Sequence, residues 1–210
     1  MTKPEFVILE GSIVRLVPLV PERDSKGLYE VSNGQAVAWG NRYSGRFDPD
    51  ATIWRYLFDG PMESVEQMVV ATRRRVDSDR TLCFCVYDVE NSRPIGMANF
   101  ASNYPEHRRI ELGGLWLSPI SRRTGAAAEM VWLMLDHLFS KGYQRVEWKC
   151  DTRNDSSRRA AERFGFVFEG IQERHMIVKG QVRDTMWFRM LADEWELNGK
   201  KLRKRIQEGQ

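Results

Sequence analysis

The sequence predicts a single α/β domain with a mixed, largely antiparallel central sheet and flanking helices. In the front half, strand-like runs are separated by short polar turns, which favours antiparallel pairing. In the back half, a long helix lies between two strands, and this unit pairs its strands in parallel. Hydrophobic residues make up 42% of the 210 residues, enough to fill a substantial core.

The front half contains four strand patterns and two helix patterns. The better helix has Ser64 and Gln67 spaced as a capping box ahead of apolar residues at helical period. The polar turn ENSR separates two strand patterns and predicts a hairpin, with a third strand beside it. The predicted strands are 13–19, 81–89, 94–103 and 108–119, and the helices lie within 21–33 and 59–79.

The back half supplies the remaining elements. The predicted elements are a helix over 122–140, a strand over 145–151, a helix within 154–166 and a hairpin over 166–191. The second of these helices begins at a capping asparagine and ends at a glycine, and the hairpin turns at Lys179-Gly180. Residues 193–210 close the chain as a short helix that frays into a basic tail. We therefore expect one domain over 1–195 and a basic helix or tail over 196–210.

Composition excludes several classes of protein. No apolar run approaches the roughly 20 residues that cross a bilayer, and the first twelve residues lack a secretory pattern, so we expect a soluble cytoplasmic protein without a membrane partner. The net charge of +3 is too small to imply a polyanionic partner. Cys83, Cys85 and Cys150 lack the paired spacing of a zinc site. They are predicted to be reduced core residues, and no metal is expected.

The stretch SRRTGAAAEM, residues 121–130, places positive charge where a strand ends and a long helix begins. The first N–H groups of a helix have no intrahelical partner, and the helix dipole attracts anions there. A glycine permits close approach, small residues keep the surface low, and arginines add charge and donors. The pattern predicts a pyrophosphate site. Its residues are Arg122, Arg123, Thr124, Gly125, Ala126 and Ala127.

Two motifs in this order resemble the GNAT N-acetyltransferase superfamily. The first is R-x-x-G-x-A at Arg122, Gly125 and Ala127, between a strand and a long helix. The second, about thirty residues later, is NDSSRRAAERFGFVFEG. The segments IELGGLWLSP and KGQVRDTMWF extend the resemblance over nearly all of residues 11–195, toward the RimJ/RimL-like branch. The resemblance implies a GNAT-type sheet with its parallel strand pair at the cofactor site, acetyl-CoA as cosubstrate, and transfer of an acetyl group to an amine.

Acetyl transfer from a thioester to an amine needs a polarised carbonyl and a base for the amine. The pair Gly113-Gly114 permits a bulge, which would turn backbone N–H groups from Trp116 through Leu117 to Ser118 toward the acyl carbonyl and the pantetheine arm. Glu111, on the same strand face as Gly113, is the predicted base. A surface role for Glu111 stays open, and His107 is the substitute base.

The departing thiolate needs a proton. Many GNAT enzymes carry a tyrosine four residues before the Gly-Phe glycine, but this chain has Ala161 there. Ser157 lies one turn earlier on the same helix and resembles the serine near the sulfur in RimL-like proteins. Asn154 heads that helix, either as a simple cap or also as a partner of the pantetheine amide. Cys150 as a covalent relay is the weakest alternative.

The acceptor pocket is the least determined part of the site. A loop-like stretch rich in aromatic residues precedes the core strands and supplies the candidate substrate residues Trp39, Arg42, Tyr43 and Trp54. The resemblance places the last hairpin at the pocket, with its residues His175, Arg183, Asp184 and Trp187.

The predicted activity is acetylation of a primary amine, in a protein N-terminus or a small molecule, by direct attack in a ternary complex. Two alternatives stay open. One is a non-catalytic acyl-CoA sensor on the same fold. The other is a ribosome-associated or nucleic-acid-associated protein that uses the basic run KKLRKR, although nucleic acid is the less favoured partner because no aromatic platform accompanies it. A homodimer is also left open.

Overall fold

The computed structural model describes residues 2–208 of the chain. The strands, β1 to β10, are Leu9–Glu10, Val14–Pro18, Val37–Trp39, Arg42–Ser44, Leu82–Asp88, Arg93–Tyr104, Arg109–Leu117, Arg145–Asp151, Val167–Val178 and Gln181–Leu191. The α-helices, α1 to α5, are Pro21–Glu30, Val65–Val76, Ala126–Ser140, Asp155–Arg163 and Ala192–Gln207. Short helical turns cover Asp50–Trp54, Pro105–His107 and Pro119–Ser121.

Eight strands form one sheet in the order β1-β2-β5-β6-β7-β8-β10-β9, and β3 pairs with β4 in a separate hairpin. Within the large sheet, β7 and β8 are parallel and the other neighbours are antiparallel. The predicted mixed sheet with one parallel pair is therefore confirmed. The β9–β10 hairpin turns at Lys179-Gly180, where both residues have positive φ, as a tight hairpin turn requires.

Helix α3 carries a nearly continuous apolar surface into the core, and α5 packs against it. The Trp195 ring lies 5.5 Å from the Phe139 ring, and Leu202 is buried about two turns further along α5. The predicted short helix that frays into a tail is wrong, because apolar residues at helical spacing keep α5 folded and packed through Gln207.

The cysteines are buried and free, as expected. The loop-like stretch before the core strands instead holds β3, β4 and the turn Asp50–Trp54. Helix α3 begins at Ala126, after a short turn over Pro119–Ser121. Across residues 2–208, every helix is too short or too polar to cross a lipid bilayer.

The N-terminal turn of α3 is tied to the sheet through Glu129. Its buried carboxylate accepts hydrogen bonds from Ser12 N and Oγ at 2.9 and 2.7 Å, Ile13 N at 2.6 Å and Val14 N at 2.7 Å. Gly11 leaves room for this group, because a Cβ there would lie 2.4 Å from Oε2. These contacts fix the start of α3 relative to β2.

Candidate active site

The parallel strands β7 and β8 separate before they end. They pair in register from Arg109 opposite Arg145 to Leu112 opposite Trp148, and no further. A cavity of about 630 Å³ opens there. It is lined by the diverging strand ends, one face of α4, the start of α3, the 51–58 segment and the β9–β10 hairpin. The separation of the two parallel strands thus creates an opening within the sheet.

The predicted bulge lies on the β7 side of this opening. Register shifts between the pairs Met97–Trp116 and Asn99–Gly113, so that β7 holds an extra residue. Gly114 has φ of 57°, and a Cβ there would lie 2.5 Å from Asn99 Nδ2. Asn99 Nδ2 also donates to Gly113 O at 2.8 Å, which fixes the bulge.

The bulge leaves fewer free N–H groups than the sequence suggests. Ser118 N donates to Ile95 O at 2.8 Å, so Ser118 is not available through its backbone, contrary to the prediction. Antiparallel ladder bonds alternate, which turns Trp116 N toward β6 as well and leaves Leu117 N directed at the opening. Two buried polar atoms beside it, Trp116 Nε1 and Ser118 Oγ, have no partner within residues 2–208.

Glu111 lies on the wall of the cavity, on the face predicted for it. Its Oε2 accepts from Lys149 Nζ at 2.8 Å and from Ser102 Oγ at 3.0 Å, and its side chain is 16% exposed. A Cβ on Gly113 would lie 3.3 Å from Oε1, so this glycine leaves room beside the second oxygen. His107 lies in the turn that precedes β7 and is not part of the cavity wall, so it is poorly placed to substitute.

Lys149 was not singled out from the sequence, yet it organises this wall. It bonds Glu111, contacts the buried Glu147 at 3.1 Å, and lies 4.0 Å from the centre of the Trp187 ring. Burial alone would raise the pKa of Glu147, but Lys149 and two arginines outweigh it and hold the pKa below its ordinary value. The in-register pairing of β7 and β8 creates this cluster from residues 38 positions apart.

His175 also lies on the cavity wall, as the resemblance implied. Burial lowers its pKa, and the nearby charges of Arg183 and Lys149 lower it further, so the ring is neutral at pH 7. Its Nδ1 lies 3.0 Å from Thr185 Oγ1, and the same oxygen accepts a hydrogen bond from Arg183 Nε at 3.1 Å. Because Thr185 Oγ1 accepts from Arg183, its hydroxyl can donate a hydrogen bond to His175 Nδ1, and we infer that the ring carries its own proton on Nε2.

The wall formed by α4 brings Asn154, Ser157 and Ala160 to the cavity. Asn154 caps the helix, its Oδ1 accepting from Ser157 N at 3.1 Å. Ser157 Oγ accepts from Trp148 Nε1 at 3.0 Å, and its own proton has no acceptor among residues 2–208, so it can be donated. Ala161 is fully buried and lies outside the cavity wall. The residue of α4 that faces the opening at this level is therefore Ala160.

The predicted pyrophosphate residues lie at the start of α3. Gly125 has φ of 79° and Arg123 has φ of 60°, a left-handed conformation uncommon for arginine. Thr124 Oγ1 donates to Ser121 O and accepts from Ala126 N at 3.2 Å. Ala127 reaches the cavity wall, while the other five predicted residues lie outside it. Arg122 and Arg123 are both exposed.

The structure does not bring Trp39, Arg42 and Tyr43 to the cavity. Arg42 instead forms ion pairs with Asp88 and Glu90, and the Tyr43 side chain is exposed. Their proposed substrate role is not supported by this placement. A hairpin turn at 40–41 pairs β3 with β4, and the ion pairs of Arg42 hold this hairpin at the end of β5, which local sequence could not show.

The cavity is instead closed by residues 51–58. Tyr56 Oη donates to Arg153 O at 2.9 Å, and Lys179 Nζ donates to Trp54 O at 2.7 Å. These two bonds tie the segment to the start of α4 and to the last hairpin. The predicted substrate loop included only the first part of this wall, residues 51–54, and its Trp54 is buried and lies outside the cavity lining. The remainder was missed, because its position depends on contacts with residues about 100 positions away.

A family model for the Acetyltransferase (GNAT) domain matches residues 14–167. The SPbeta prophage-derived uncharacterized N-acetyltransferase YokL of Bacillus subtilis (strain 168) is 35% identical over 78 residues, or 37% of this chain. That match spans 44% of the length of YokL.

Two solved structures are similar over most of the chain. A GCN5-related N-acetyltransferase from Brucella melitensis is 34% identical, with a TM-score of 0.86 over 97% of this chain and 87% of its own. A probable acetyltransferase of the GNAT family from Chromobacterium violaceum ATCC 12472 is 32% identical, with a TM-score of 0.80 over 92% of this chain and 90% of its own.

Proposed function

Because this chain belongs to the GNAT acetyltransferase family, we propose that it acetylates a primary amine with acetyl-CoA, by direct attack in a ternary complex. One observation carries the proposal. Where β7 and β8 separate, a single cavity has the Glu111 carboxylate on one side and, on the other, the Ser157 hydroxyl, whose proton has no acceptor among residues 2–208. Amine deprotonation and thiolate protonation need these two kinds of group.

The residues present fit acetyl-CoA, which supplies the activated acetyl group. Arg122 and Arg123 and the start of α3 offer charge and N–H donors for the phosphates. Leu117 N and Trp116 Nε1, which has no partner among residues 2–208, lie toward the gap between the strands. There they could donate to the acetyl carbonyl oxygen and the pantetheine amide oxygens of acetyl-CoA. Asn154 is the proposed partner for the pantetheine chain at the start of α4.

Glu111 is the proposed general base. Two donors reach its Oε2, while Oε1 has no donor among residues 2–208 and has room beside Gly113. His175 is the competing group, but the inferred proton on Nε2 makes it a donor to the acceptor molecule. Glu111 therefore takes the amine proton, directly or through water.

Ser157 is the proposed donor toward the thiolate. Trp148 Nε1 occupies one lone pair of its oxygen and so orients the hydroxyl. Burial raises the pKa of the Cys150 thiol, which keeps it protonated at neutral pH. A covalent relay through Cys150 is disfavoured for this reason, and direct attack remains.

We propose the RimJ/RimL-like branch as the subgroup of this chain, because the motifs of the chain resemble those of that branch. The acceptor is then a protein N-terminus or a small amine. The basic run near the C-terminus is less available for nucleic acid than the sequence suggests. Arg203 lies 4.4 Å from the centre of the Trp132 ring, and Lys200 pairs with Glu196.

A turnover assay with acetyl-CoA and a panel of amines tests this function. Glu111→Gln should lower kcat/KM about 100-fold near pH 7 and recover as the pH rises, because free amine then needs no base. Acetyl-CoA affinity should be unchanged. If the pH–rate profile of the variant overlays that of the parent, Glu111 is not the base. Absence of turnover with every amine, despite acetyl-CoA binding, would instead support a sensor.

A further inference from the structure

Arg183 on β10 is a buried guanidinium without an ion pair. It is only 7% exposed and forms part of the cavity wall. Its Nε donates to Thr185 Oγ1, but Nη1 and Nη2 have no acceptor in the described part of the chain. By contrast, Lys149 and Arg75, on the same wall, bond Glu111 and Asp59. Nη1 and Nη2 of the charged Arg183 guanidinium are therefore available to bind a ligand in the cavity.

Among carboxylates, Asp151 has the largest electrostatic effect on Arg183, but it already accepts hydrogen bonds from Arg153. Asp151 accepts from Arg153 N at 2.9 Å, Nε at 3.0 Å and Nη2 at 2.8 Å. A buried charge without a partner is costly, so an anion supplied from outside would be bound favourably. The fork formed by Nη1 and Nη2 matches the paired oxygens of a carboxylate or a phosphate.

The residues around Arg183 also favour an anion over a second cation. Lys149 and the Nε2 proton inferred for His175 are also donors, whereas Glu111 is the acceptor assigned to the amine. A polyamine would bring a second ammonium group toward Arg183 and Lys149, where like charges repel. A molecule with an amine at one end and an anionic group at the other could place the amine at Glu111 and the anionic group at Arg183.

We propose that Arg183 binds an anionic group of the acceptor, which is therefore a primary amine that carries a carboxylate or phosphate. The inference rests on the proposed function, because it assigns a substrate class to the same cavity. It assigns Arg183 to the acceptor and not to acetyl-CoA, whose phosphates have their own residues at the start of α3.

Matched acceptor pairs test this inference: β-alanine with β-alaninamide, phosphoethanolamine with ethanolamine, and a peptide beginning with Glu with its Gln counterpart. Arg183→Met should lower kcat/KM about 10–100-fold for the preferred anionic member and leave its neutral partner within about twofold. The pair that responds identifies the source of the anion. Arg80→Met, which removes an exposed arginine outside the cavity wall, should change neither member.

Binding provides a readout that does not depend on turnover. Calorimetry with CoA present should show that the anionic member of the same pair binds the parent protein and not Arg183→Met, while CoA binds both equally. Thermal melting should show the variant at least as stable as the parent, because it loses an unpaired buried charge. Equal losses for anionic and neutral acceptors, preference for spermidine, or weakened CoA binding would overturn the inference. Selective anion binding without any turnover would overturn the proposed function alone.

Discussion

Ser157→Ala should slow turnover while leaving acetyl-CoA affinity almost unchanged. The hydroxyl accepts from Trp148 Nε1 at 3.0 Å and retains one proton for the sulfur. A hydrogen bond to a charged group contributes about 1.5–3 kcal/mol, so kcat should fall about 10–100-fold. Trp148 Nε1 would lose its acceptor, but the cavity admits water, so the loss of stability should stay near 1 kcal/mol.

A tyrosine placed on α4 tests the same geometry. In the Ser157→Ala background, Ala160→Tyr should recover part of the lost rate, because residue 160 lies on the cavity wall. Ala161→Tyr is the matched control. Its side chain would enter a fully buried position, and the overpacking should cost about 1–3 kcal/mol without rescue.

The assay is single-turnover and steady-state kinetics at saturating acetyl-CoA, with urea unfolding for each variant. A Ser157→Ala enzyme as fast as its parent would refute the assignment and leave water as the proton donor. Rescue by Ala161→Tyr that equals rescue by Ala160→Tyr would show that the wrong face of α4 had been assigned to the cavity.

Three further outcomes are expected. Gly125→Val should weaken acetyl-CoA binding at least about tenfold by calorimetry, because φ of 79° disfavours a β-branched residue; unchanged affinity would remove this loop from the site. Glu129→Gln should cost about 3 kcal/mol in urea unfolding, because an amide retains one acceptor oxygen for four donors. The pKa of Glu147 is lowered from 4.5, so it stabilises the fold above pH 4.5 and this contribution is lost as pH falls below it. Glu147→Gln should therefore cost about 2–3 kcal/mol at pH 6, a moderate loss because the arginine partners of Glu147 are partly exposed. The loss should be smaller at pH 3.5, and an equal loss at both pH values would contradict the lowered pKa.

Local signals in the sequence predicted the elements well. The turn at Lys179-Gly180 and the cap at Asn154 each depend on residues within a few positions. Such features need no knowledge of the rest of the fold, because backbone sterics and short-range hydrogen bonds determine them.

Long-range placement was harder to predict. The Lys149–Glu111 contact depends on the strand register, and the position of Tyr56 depends on a bond to a residue 97 positions away. On α4, spacings of three and four residues both continue the face of Ser157, so helical period alone could not choose between Ala160 and Ala161. The packing of α4 against the sheet buries Ala161 and leaves Ala160 on the cavity wall.

The arrangement around β8 explains how one strand can serve both halves of the proposed reaction. Successive side chains of a strand point to opposite faces, so Trp148 and Lys149 extend to different sides of the sheet. Trp148 holds Ser157, the proposed donor to the sulfur, and Lys149 holds Glu111, the proposed base for the amine. The pairing of β8 with β7 ends at Trp148, so the gap between the strands opens between these two positioned groups. An acetyl group held in that gap would lie between the proposed base for the amine and the proposed proton donor for the thiolate, and the shared strand would fix the distance between these two groups.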